Sequence, residues 1–383
     1  MRIALDARSI YRPNRRGTGK NLVDLYRHLA AACPHWQVMA FCRQGGPLEA
    51  ILPEQVEPRP IAMIGGRFDA WGRLRLPLAA WRDNAEVLHC PANDCPTWLP
   101  LPTVVTIHDL IPLDLPAGRP PAQLHRFEQS VRTATRRAAW IITPSNYTRD
   151  RLVADFEADS SRISVIPWAA DSSLTECIAL DRWTLQQKYG VNGPYVLHFG
   201  ADPVLEPHKN TKRLIEAWAM IKASHRRNWT LLVVGLEGAA AEQLKMVITR
   251  LGADDTIRLH GFADEADLPG LLRGAEILAY PSLSEGFGLP ILDGWATATA
   301  VLSSPVSSIP EIAQGAGHMV NPEDACALAS GLRKLMDDHF YRKELIVKGR
   351  CRLAGYSWQK TVDRFVRTMR QVRELGVSRS NAA

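Results

Sequence analysis

The alternation of short apolar runs with helical patterns is the feature that most restricts how this chain can fold. The runs before residue 170 are RIALDA, WQVMAFC, EVLHC, TVVTIHD, AWIITPS and ISVIPW, and those after residue 193 are YVLHFG, WTLLVVG, TIRLHGF, EILAYPS and TAVLSS. Several precede segments whose apolar residues recur every three or four positions, as in GKNLVDLYRHLAAA at 19–32. Continuous apolar strands alternating with amphipathic helices predict an α/β protein built on parallel sheets.

The length of the chain predicts two domains. Its 383 residues exceed what one hydrophobic core usually holds. The polar segment LTECIALDRWTLQQKYGVNGP ends in a Gly/Pro break, which places the boundary near Gly193. We therefore predict domains over 1–190 and 194–356. The segment SWQKTVDRFVRTMRQVREL indicates one amphipathic helix, predicted over 357–376 and followed by a frayed tail.

Charge and cysteine content exclude several classes of protein. The formal net charge of +6 is too mild and dispersed to indicate nucleic acid, and it suits an anionic substrate or a lipid surface equally well. Seven irregularly spaced cysteines argue against a disulfide framework, and His89, Cys90 and Cys95 lack a second pair of zinc ligands. Asp6 interrupts any signal-peptide core, and no segment suits a membrane span, so we expect a cytosolic protein with surface attachment to a membrane still open.

Glycines follow the first predicted strand, where open parallel sheets bind their ligands. Two such domains facing one another would hold a ligand in the cleft between them. In RRGTGKN, a Walker motif would need Gly at Asn14 and Ser or Thr at Asn21, and Leu22 stands where a dinucleotide fingerprint needs its third glycine. Gly17 and Gly19 therefore form either a structural turn or an anion contact at a helix start.

Basic side chains follow two other predicted strands. His108 in VVTIHDL is either a donor to a hydroxyl or phosphate oxygen, or a core histidine held by a backbone carbonyl. Lys209 and Asn210 open the predicted helix KNTKRLIEAW, where a lysine strengthens the dipole field that a diphosphate leaving group requires, although solvated lysines are commoner. In contrast, SIPE at residues 308–311 predicts a purely structural capping box.

Two carboxylates flank a glycine-rich turn in SLSEGFGLPILDGW, residues 282–295. Gly286 and Gly288 leave the backbone open to close approach beside Glu285. The following proline suits a helix start, so we expect Asp293 in the first helical turn, near the positive end of the dipole. The alternative is that Asp293 only favours the helix start and Glu285 is a solvated loop acid.

Together these segments resemble the glycosyltransferases of family GT4, and the resemblance covers almost the whole chain. EGFGLPILD is similar to the family's E-x7-E signature, and VVTIHDLIPL, IITPSNYTRDRL, ISVIPWAAD and HFGADPVLEPHKNTKRLIEAW are also similar. The resemblance implies the GT-B fold, with two Rossmann-like parallel-sheet domains facing across a cleft and the C-terminal helix crossing back to complete the first. It also implies sugar transfer from a nucleotide diphosphate donor with retention of anomeric configuration.

The resemblance also implies a catalytic set of His108, Lys209 and Glu285. Glu285 would bind hydroxyls of the donor sugar, Lys209 would stabilise the departing diphosphate, and His108 would reach the transferred sugar. The implied donor-binding set is Gly17, Gly19, Lys209, Glu285, Gly286, Phe287, Gly288, Leu289 and Asp293. In it the first loop closes on the phosphates, the turn offers backbone N–H groups, and Asp293 contacts the ribose.

The sequence departs from the family pattern at two positions. The second signature acid is Asp293 instead of the longer glutamate, so the ribose contact is lost, water-mediated or direct. Ala201 stands where many members carry an arginine. Lys209 would then act with Lys212, Arg213 or an arginine of the first loop.

A nucleotide sugar brings its own activated leaving group, so we expect orientation and charge neutralisation to dominate catalysis, without a metal or other cofactor. The segment RFDAWGRLRLPLAAW predicts an interfacial helix or an ordinary surface helix. It interleaves Trp71, Leu74, Leu78 and Trp81 with Arg67, Arg73 and Arg75. We expect a mannose-type donor and a polyprenyl-diphosphate-linked saccharide acceptor, in exopolysaccharide or O-antigen assembly. The alternatives are a sugar-nucleotide 2-epimerase of the same fold and a non-catalytic nucleotide-sugar-binding subunit.

Overall fold

The structure, a computed structural model, describes residues 1–11, 17–43, 52–62 and 71–380. The chain forms two compact units. Unit 1 consists of Met1–Leu113, Pro120–Ala169 and Tyr356–Ala383, and unit 2 of Asp114–Arg119 and Ala170–Gly355.

Within the described residues, unit 1 contains a seven-stranded parallel sheet in the order β3-β2-β1-β4-β5-β6-β7. Its strands are β1 (Arg2–Asp6), β2 (Gln37–Arg43), β3 (Val56–Ile61), β4 (Val87–Cys90), β5 (Thr103–Thr106), β6 (Trp140–Thr143) and β7 (Ile163–Val165). Ile3 of β1 lies between Val38 and Val87, which sets the register at the centre. The helices are Gly17–Ala32, Leu76–Arg82 after a π-helical turn at Trp71–Arg75, Ile111–Asp114, Pro121–Arg137, Asn146–Phe156 and Trp358–Ser380, with a 3₁₀ turn at Ser160–Arg162.

Unit 2 repeats this plan with a six-stranded parallel sheet, counted over the same described ranges, in the order β10-β9-β8-β11-β12-β13. Its strands are β8 (Tyr195–Phe199), β9 (Thr230–Val234), β10 (Ile257–His260), β11 (Ile277–Tyr280), β12 (Ala300–Ser303) and β13 (His318–Met319). The helices are Arg182–Tyr189, Thr211–Met220, Ala223–Arg226, Gly238–Arg250, Leu268–Gly274, Leu289–Ala296, Ile309–Ala313, Ala325–Asp337 and His339–Leu353, with 3₁₀ turns at Ser172–Leu174 and Pro207–Lys209.

The strand order of each sheet reverses between its first and fourth strands, β1 and β4 in unit 1 and β8 and β11 in unit 2. In open parallel sheets such a reversal separates the connections that leave neighbouring strands, and ligands bind there, beyond the carboxyl ends. In unit 2 the reversal brings the loop at 200–210, after β8, beside the loop at 281–288, after β11. The α/β, parallel-sheet prediction is confirmed.

Each apolar run quoted from the sequence contains a strand, but β3 and β13 had no such signal. The β3 sequence VEPRPI carries two prolines and no apolar run. Prolines are tolerated there because β3 is an edge strand, where a missing N–H costs no ladder hydrogen bond. The two-residue β13 occupies an edge of the other sheet and is too short to leave a pattern.

The polar segment before Gly193 belongs to unit 2, although the sequence places it before the domain boundary. The chain leaves unit 1 after Ala169. The segment then packs on the helix Leu268–Gly274 and the loop before it, where the Tyr189 hydroxyl donates to Asp267 Oδ2 at 2.6 Å. The polar segment before Gly193 is thus held on the surface of unit 2 by hydrogen bonds. The boundary between the two units lies upstream of it, after Ala169.

The helix Trp358–Ser380 packs in unit 1 and extends beyond its predicted end at residue 376. Phe365 and Val372 are buried, and the helix packs against Gly17–Ala32. The Thr361 hydroxyl donates to the carbonyl of Pro167 at 2.7 Å. The last helix therefore completes the core of the unit in which the chain begins.

Helix packing in unit 2 depends on one close approach, and it gives a stability prediction. A Cβ at Gly349 would overlap the indole of the buried Trp295. Gly349→Ala should therefore destabilise unit 2 by about 1 to 3 kcal/mol through overpacking, despite the better helix propensity of alanine. A lower midpoint of urea unfolding checks this, with Val347→Ala on the exposed side of the same helix as control. Equal midpoints for the two variants would contradict the packing described.

Candidate active site

The carboxylate of Glu285 lies at the carboxyl edge of the unit 2 sheet and is only 8% exposed. Its Oε1 accepts from Ser282 Oγ at 2.9 Å and from Lys209 Nζ at 3.2 Å, and the Tyr280 hydroxyl also donates to it. Burial disfavours the charged form, but the positive charge of Lys209 and these donors together hold the pKa of Glu285 below its ordinary value. Glu285 is therefore a buried, ionised and hydrogen-bonded acceptor, and it is not a solvated loop acid.

The backbone of Glu285 is held by two serines that follow β12. Its N–H donates to Ser307 Oγ at 2.8 Å, and its carbonyl accepts from Ser308 Oγ at 2.9 Å. The capping box predicted at 308–311 is wrong, because Ser308 makes no side-chain cap bond to the helix Ile309–Ala313. Its hydroxyl instead donates to the carbonyl of Glu285, because buried polar groups in a loop need hydrogen-bond partners.

Lys209 is the last residue of the 3₁₀ turn Pro207–Lys209. The sequence predicted it at the start of the following helix, but that helix begins after it. Asn210 has a left-handed backbone with φ of 60°, and the helix begins only at Thr211. The Asn210 amide donates to the carbonyl of Pro281 at 3.0 Å and to that of Pro322 at 2.7 Å. Asn210 thereby ties the lysine loop to the loop that carries Glu285.

The loop after β8 is further fixed by a buried chain of hydrogen bonds. His198 Nδ1 donates to the carbonyl of Ala279 at 2.9 Å, so its Nε2 accepts from the Thr211 hydroxyl at 3.0 Å. Thr211 Oγ1 in turn accepts from the N–H of Ala201 at 3.3 Å. Ala201, where the family commonly carries an arginine, is thus positioned by its backbone.

The other basic residues considered beside Lys209 are occupied elsewhere. Arg213 donates to Asn210 Oδ1 at 2.9 Å, and Lys212 is exposed and pairs with Glu216 at 3.8 Å. Arg15 and Arg16 of the first loop lie outside the described residues, as does Asn14. His208, adjacent to Lys209 and absent from the predicted set, is buried, with 8% of its surface exposed.

The glycine turn ends in a left-handed Gly288, with φ of 97°, which precedes the helix Leu289–Ala296. That conformation favours glycine, and the N–H groups at a helix start have no partner within the helix. Asp293 lies beyond the first turn, so its predicted place at the helix start is wrong. Asp293 is partly exposed, and its charge acts on the hydroxyl of Tyr280, the residue that also donates to Glu285. The two acids therefore flank one tyrosine.

The remaining predicted residues belong to unit 1. His108 Nε2 donates to the carbonyl of Pro91 at 2.6 Å, which leaves Nδ1 with the lone pair, and the ring stacks on Trp168 at 5.8 Å. Its surroundings lower the pKa of His108 to about 4 by desolvation, so the imidazole is neutral at neutral pH. Gly17 and Gly19 both lie in the first turn of the helix Gly17–Ala32, the former exposed and the latter buried.

Besides His208, three residues that contact Glu285 had no signal in the sequence. Tyr280, Ser282 and Ser307 each contact Glu285, yet none stands in an unusual local pattern. Ser307 follows a different strand and meets Glu285 only through the order of the sheet. Within residues 1–11, 17–43, 52–62 and 71–380, no three His, Cys, Asp or Glu side chains are grouped to hold a metal ion.

Comparisons with known proteins identify the family to which each half of the chain is similar. Residues 181–352 match the model for glycosyl transferases group 1, and residues 15–174 match that for glycosyltransferase family 4. The O-antigen chain mannosyltransferase B of Escherichia coli is 28% identical over 257 residues, which cover 67% of each chain. The serotype-specific mannosyltransferase WbdA of Escherichia coli is 26% identical over 303 residues, 76% of this chain and 36% of that longer protein.

Solved structures of glycosyltransferases share the fold of both units. Sucrose-phosphate synthase from Thermosynechococcus elongatus superimposes with a TM-score of 0.75 at 20% identity, over 97% of this chain and 99% of the other. HepE from Anabaena, in complex with UDP-glucose, superimposes with a TM-score of 0.75 at 18% identity, over 97% of this chain and 100% of the other. With a family model matched in each half and this fold throughout, the chain belongs to glycosyltransferase family 4 and has the GT-B fold.

Proposed function

We propose that this glycosyltransferase moves a mannose-type sugar from a nucleotide diphosphate sugar to a saccharide acceptor, with retention of anomeric configuration, in the assembly of a cell-surface polysaccharide. The part-buried Lys209–Glu285 pair carries the proposal, because it places one cation and one ionised acceptor where the sheet order reverses. The names of two relatives, an O-antigen chain mannosyltransferase and a serotype-specific mannosyltransferase, support the sugar and the pathway class.

Glu285 is suited to binding sugar hydroxyls. An ionised carboxylate has about four acceptor positions, so its bonds to Ser282, Tyr280 and Lys209 leave capacity for a ligand hydroxyl. A hydroxyl bound by a charged acceptor is held more strongly than by a neutral one. Glu285 therefore orients the donor sugar, and no protein nucleophile is needed because the donor carries its own leaving group.

Lys209 is suited to stabilising the departing diphosphate, together with the N–H groups that begin the helix Leu289–Ala296. The bond between the anomeric carbon and the diphosphate breaks while the acceptor oxygen bonds to the same face of that carbon. The leaving phosphate oxygen accepts the acceptor's proton. We propose that this charge neutralisation needs no metal ion. We also propose that His108 Nδ1, which carries a lone pair, accepts a hydrogen bond from a hydroxyl of the transferred sugar.

We further propose that the acceptor is linked to a polyprenyl diphosphate and that unit 1 meets the inner membrane surface. In the described part of the predicted interfacial segment, Leu74 and Trp81 are 56% and 53% exposed, and Arg73 and Arg82 are also exposed. Exposed apolar side chains beside arginines suit an anionic lipid surface. Trp71 is buried and not interfacial, contrary to the sequence prediction, and Arg67 lies outside the described residues.

None of the helices in the described part of the chain is both long and apolar enough to cross a membrane.

The leaving-group role predicts the effect of removing the ammonium. Lys209→Ala should lower kcat by about 100-fold or more, because the lost charge acts mainly as the diphosphate departs. Initial rates with saturating donor and acceptor check this, with Lys212→Ala on the exposed surface as control.

Wild-type rates in excess EDTA test the metal-free proposal. Turnover near the wild-type level in Lys209→Ala, or strict dependence on added metal, would contradict the mechanism.

The two acids should separate sugar binding from nucleotide binding. Glu285→Gln should weaken transfer markedly and leave the affinity for free nucleoside diphosphate nearly unchanged, since it replaces a charged acceptor of sugar hydroxyls. Asp293→Ala should weaken nucleoside diphosphate binding by about 1 to 3 kcal/mol if it contacts the ribose directly, and by less through water. Calorimetry and initial rates on both variants give the comparison. If Glu285→Gln lost nucleotide affinity and Asp293→Ala kept it, the two roles would be exchanged. Epimerisation of the donor in the absence of acceptor would favour an epimerase.

The exposed apolar pair predicts binding to anionic vesicles. Leu74→Ser combined with Trp81→Ser should lower the fraction that co-floats with phosphatidylglycerol vesicles several-fold and leave the thermal midpoint nearly unchanged, since both side chains are exposed. Trp183→Ser, at another exposed tryptophan, in unit 2, is the matched control. Equal flotation of the double variant and the control would exclude this surface as the membrane contact.

A further inference from the structure

His208 is a buried imidazole beside Lys209 that the proposed mechanism does not use. Its carbonyl accepts from the N–H of Leu283 at 2.8 Å, so the residue is held where the loops after β8 and β11 meet. The residue is 8% exposed, and its Nδ1 is buried without a hydrogen-bond partner among the described residues. Buried polar atoms in native proteins are nearly always partnered, so an orphaned one at a binding site indicates a missing ligand.

Arg119 brings a second orphaned nitrogen to the same place. The segment Asp114–Arg119 belongs to unit 2, where Ser284 Oγ donates to Asp114 Oδ2 at 2.8 Å. A Cβ at Gly118 would lie 3.0 Å from the carbonyl of Val204, so the segment packs closely on the loop that carries His208. Arg119 Nε is buried and has no partner within the described part of the chain.

The charged groups that act on His208 come from three segments of unit 2. They are Lys209 of its own turn, Glu285 of the loop after β11, and Arg119 of the segment before residue 120. Burial lowers the pKa of His208 to about 4, Glu285 opposes this shift, and the two cations reinforce it. The imidazole is therefore neutral at neutral pH in the unliganded protein, among two cations and one carboxylate.

A bound diphosphate would reverse this balance. It adds two negative charges next to Lys209, and nearby negative charge favours the protonated form of an imidazole. A protonated imidazole has two N–H donors, which would give the orphaned Nδ1 a hydrogen to donate. A permanent charge at this buried position would instead oppose folding of the empty site.

We propose that His208 takes up a proton when the diphosphate of a sugar nucleotide binds, and that its Nδ1–H and Arg119 donate to the phosphate oxygens. This pair would supply the positive charge that Ala201 cannot. The inference rests on the proposed function and adds to it a residue that binds the leaving group only in its protonated form.

The sign of the pH dependence follows from linkage. Binding raises the pKa of His208 from about 4, so affinity is greatest below that value and falls as the pH rises towards the pKa in the complex. Above the pKa in the complex, affinity stays constant. A sugar nucleotide is the suitable probe, since its two phosphates are both diesters and stay ionised across the neutral range.

The test is calorimetry of the full chain with GDP-mannose and with UDP-glucose, in pairs of buffers that differ in ionisation enthalpy, at about pH 6. Wild-type protein should take up a proton, with a stoichiometry that approaches one per bound sugar nucleotide at lower pH. His208→Gln should take up none and bind about tenfold or more weakly at that pH. His208→Arg should also take up none, yet keep its affinity as the pH rises.

Two further variants complete the comparison. Arg119→Gln should bind more weakly and still take up a proton, and His225→Gln, at an exposed histidine of unit 2, should match the wild type. Uptake that persists in His208→Gln, or wild-type binding without uptake, would overturn the role of His208 and leave the proposed function standing. Failure of both sugar nucleotides to bind the wild type would overturn the proposed function and this inference together.

Discussion

The ionisation of Glu285 inside unit 2 is the condition on which the rest of this site depends. Glu285 is 8% exposed, and burial by itself raises the pKa of its carboxyl group and disfavours the charged form. Lys209, Ser282 and Tyr280 keep it charged, and the pair with Lys209 in turn fixes an ammonium that would otherwise extend into solvent. Removing Lys209 would leave the buried carboxylate of Glu285 without its cation, whereas the ammonium of Lys209 is partly exposed.

The order of the parallel sheet brings this pair together. Lys209 and Glu285 are 76 positions apart, yet the strands before them are direct neighbours in the sheet. The serines that hold the backbone of Glu285 follow the next strand in that order, β12. Three loops that are remote in sequence thus converge because parallel strands all end at one edge. The same order in unit 1 places His108 beyond the carboxyl end of β5.

The sequence predicts the fold well where hydrophobic burial decides the structure. Strands buried on both faces are continuous apolar runs, so every such run identified a strand. The edge strand β3 tolerates prolines and contains no apolar run, so the sequence did not reveal it. Loop geometry was harder to predict, because local patterns do not reveal which distant group a side chain satisfies. Ser308 was assigned to a helix cap, but it donates to the carbonyl of Glu285.

The candidate site shows the same division. Glu285 lies in the family signature and Lys209 follows another predicted strand, and the structure shows the two side chains in contact. His208 stood next to Lys209 in the sequence without a signal of its own, since only the fold reveals that its Nδ1 is buried without a partner among the described residues. Asp293 lies just beyond the first turn, and not in it as predicted, because the helix begins at Leu289, one residue before Pro290.

The return of the helix Trp358–Ser380 to unit 1 has a consequence for synthesis on the ribosome. Unit 2 has all its strands and helices once residue 355 has emerged, but the core of unit 1 still lacks Phe365, Met369 and Val372. Domains generally fold as units as they emerge. The unit encoded first is therefore the last to close its core, and until then the surface of Gly17–Ala32 that this helix covers stays accessible to chaperones.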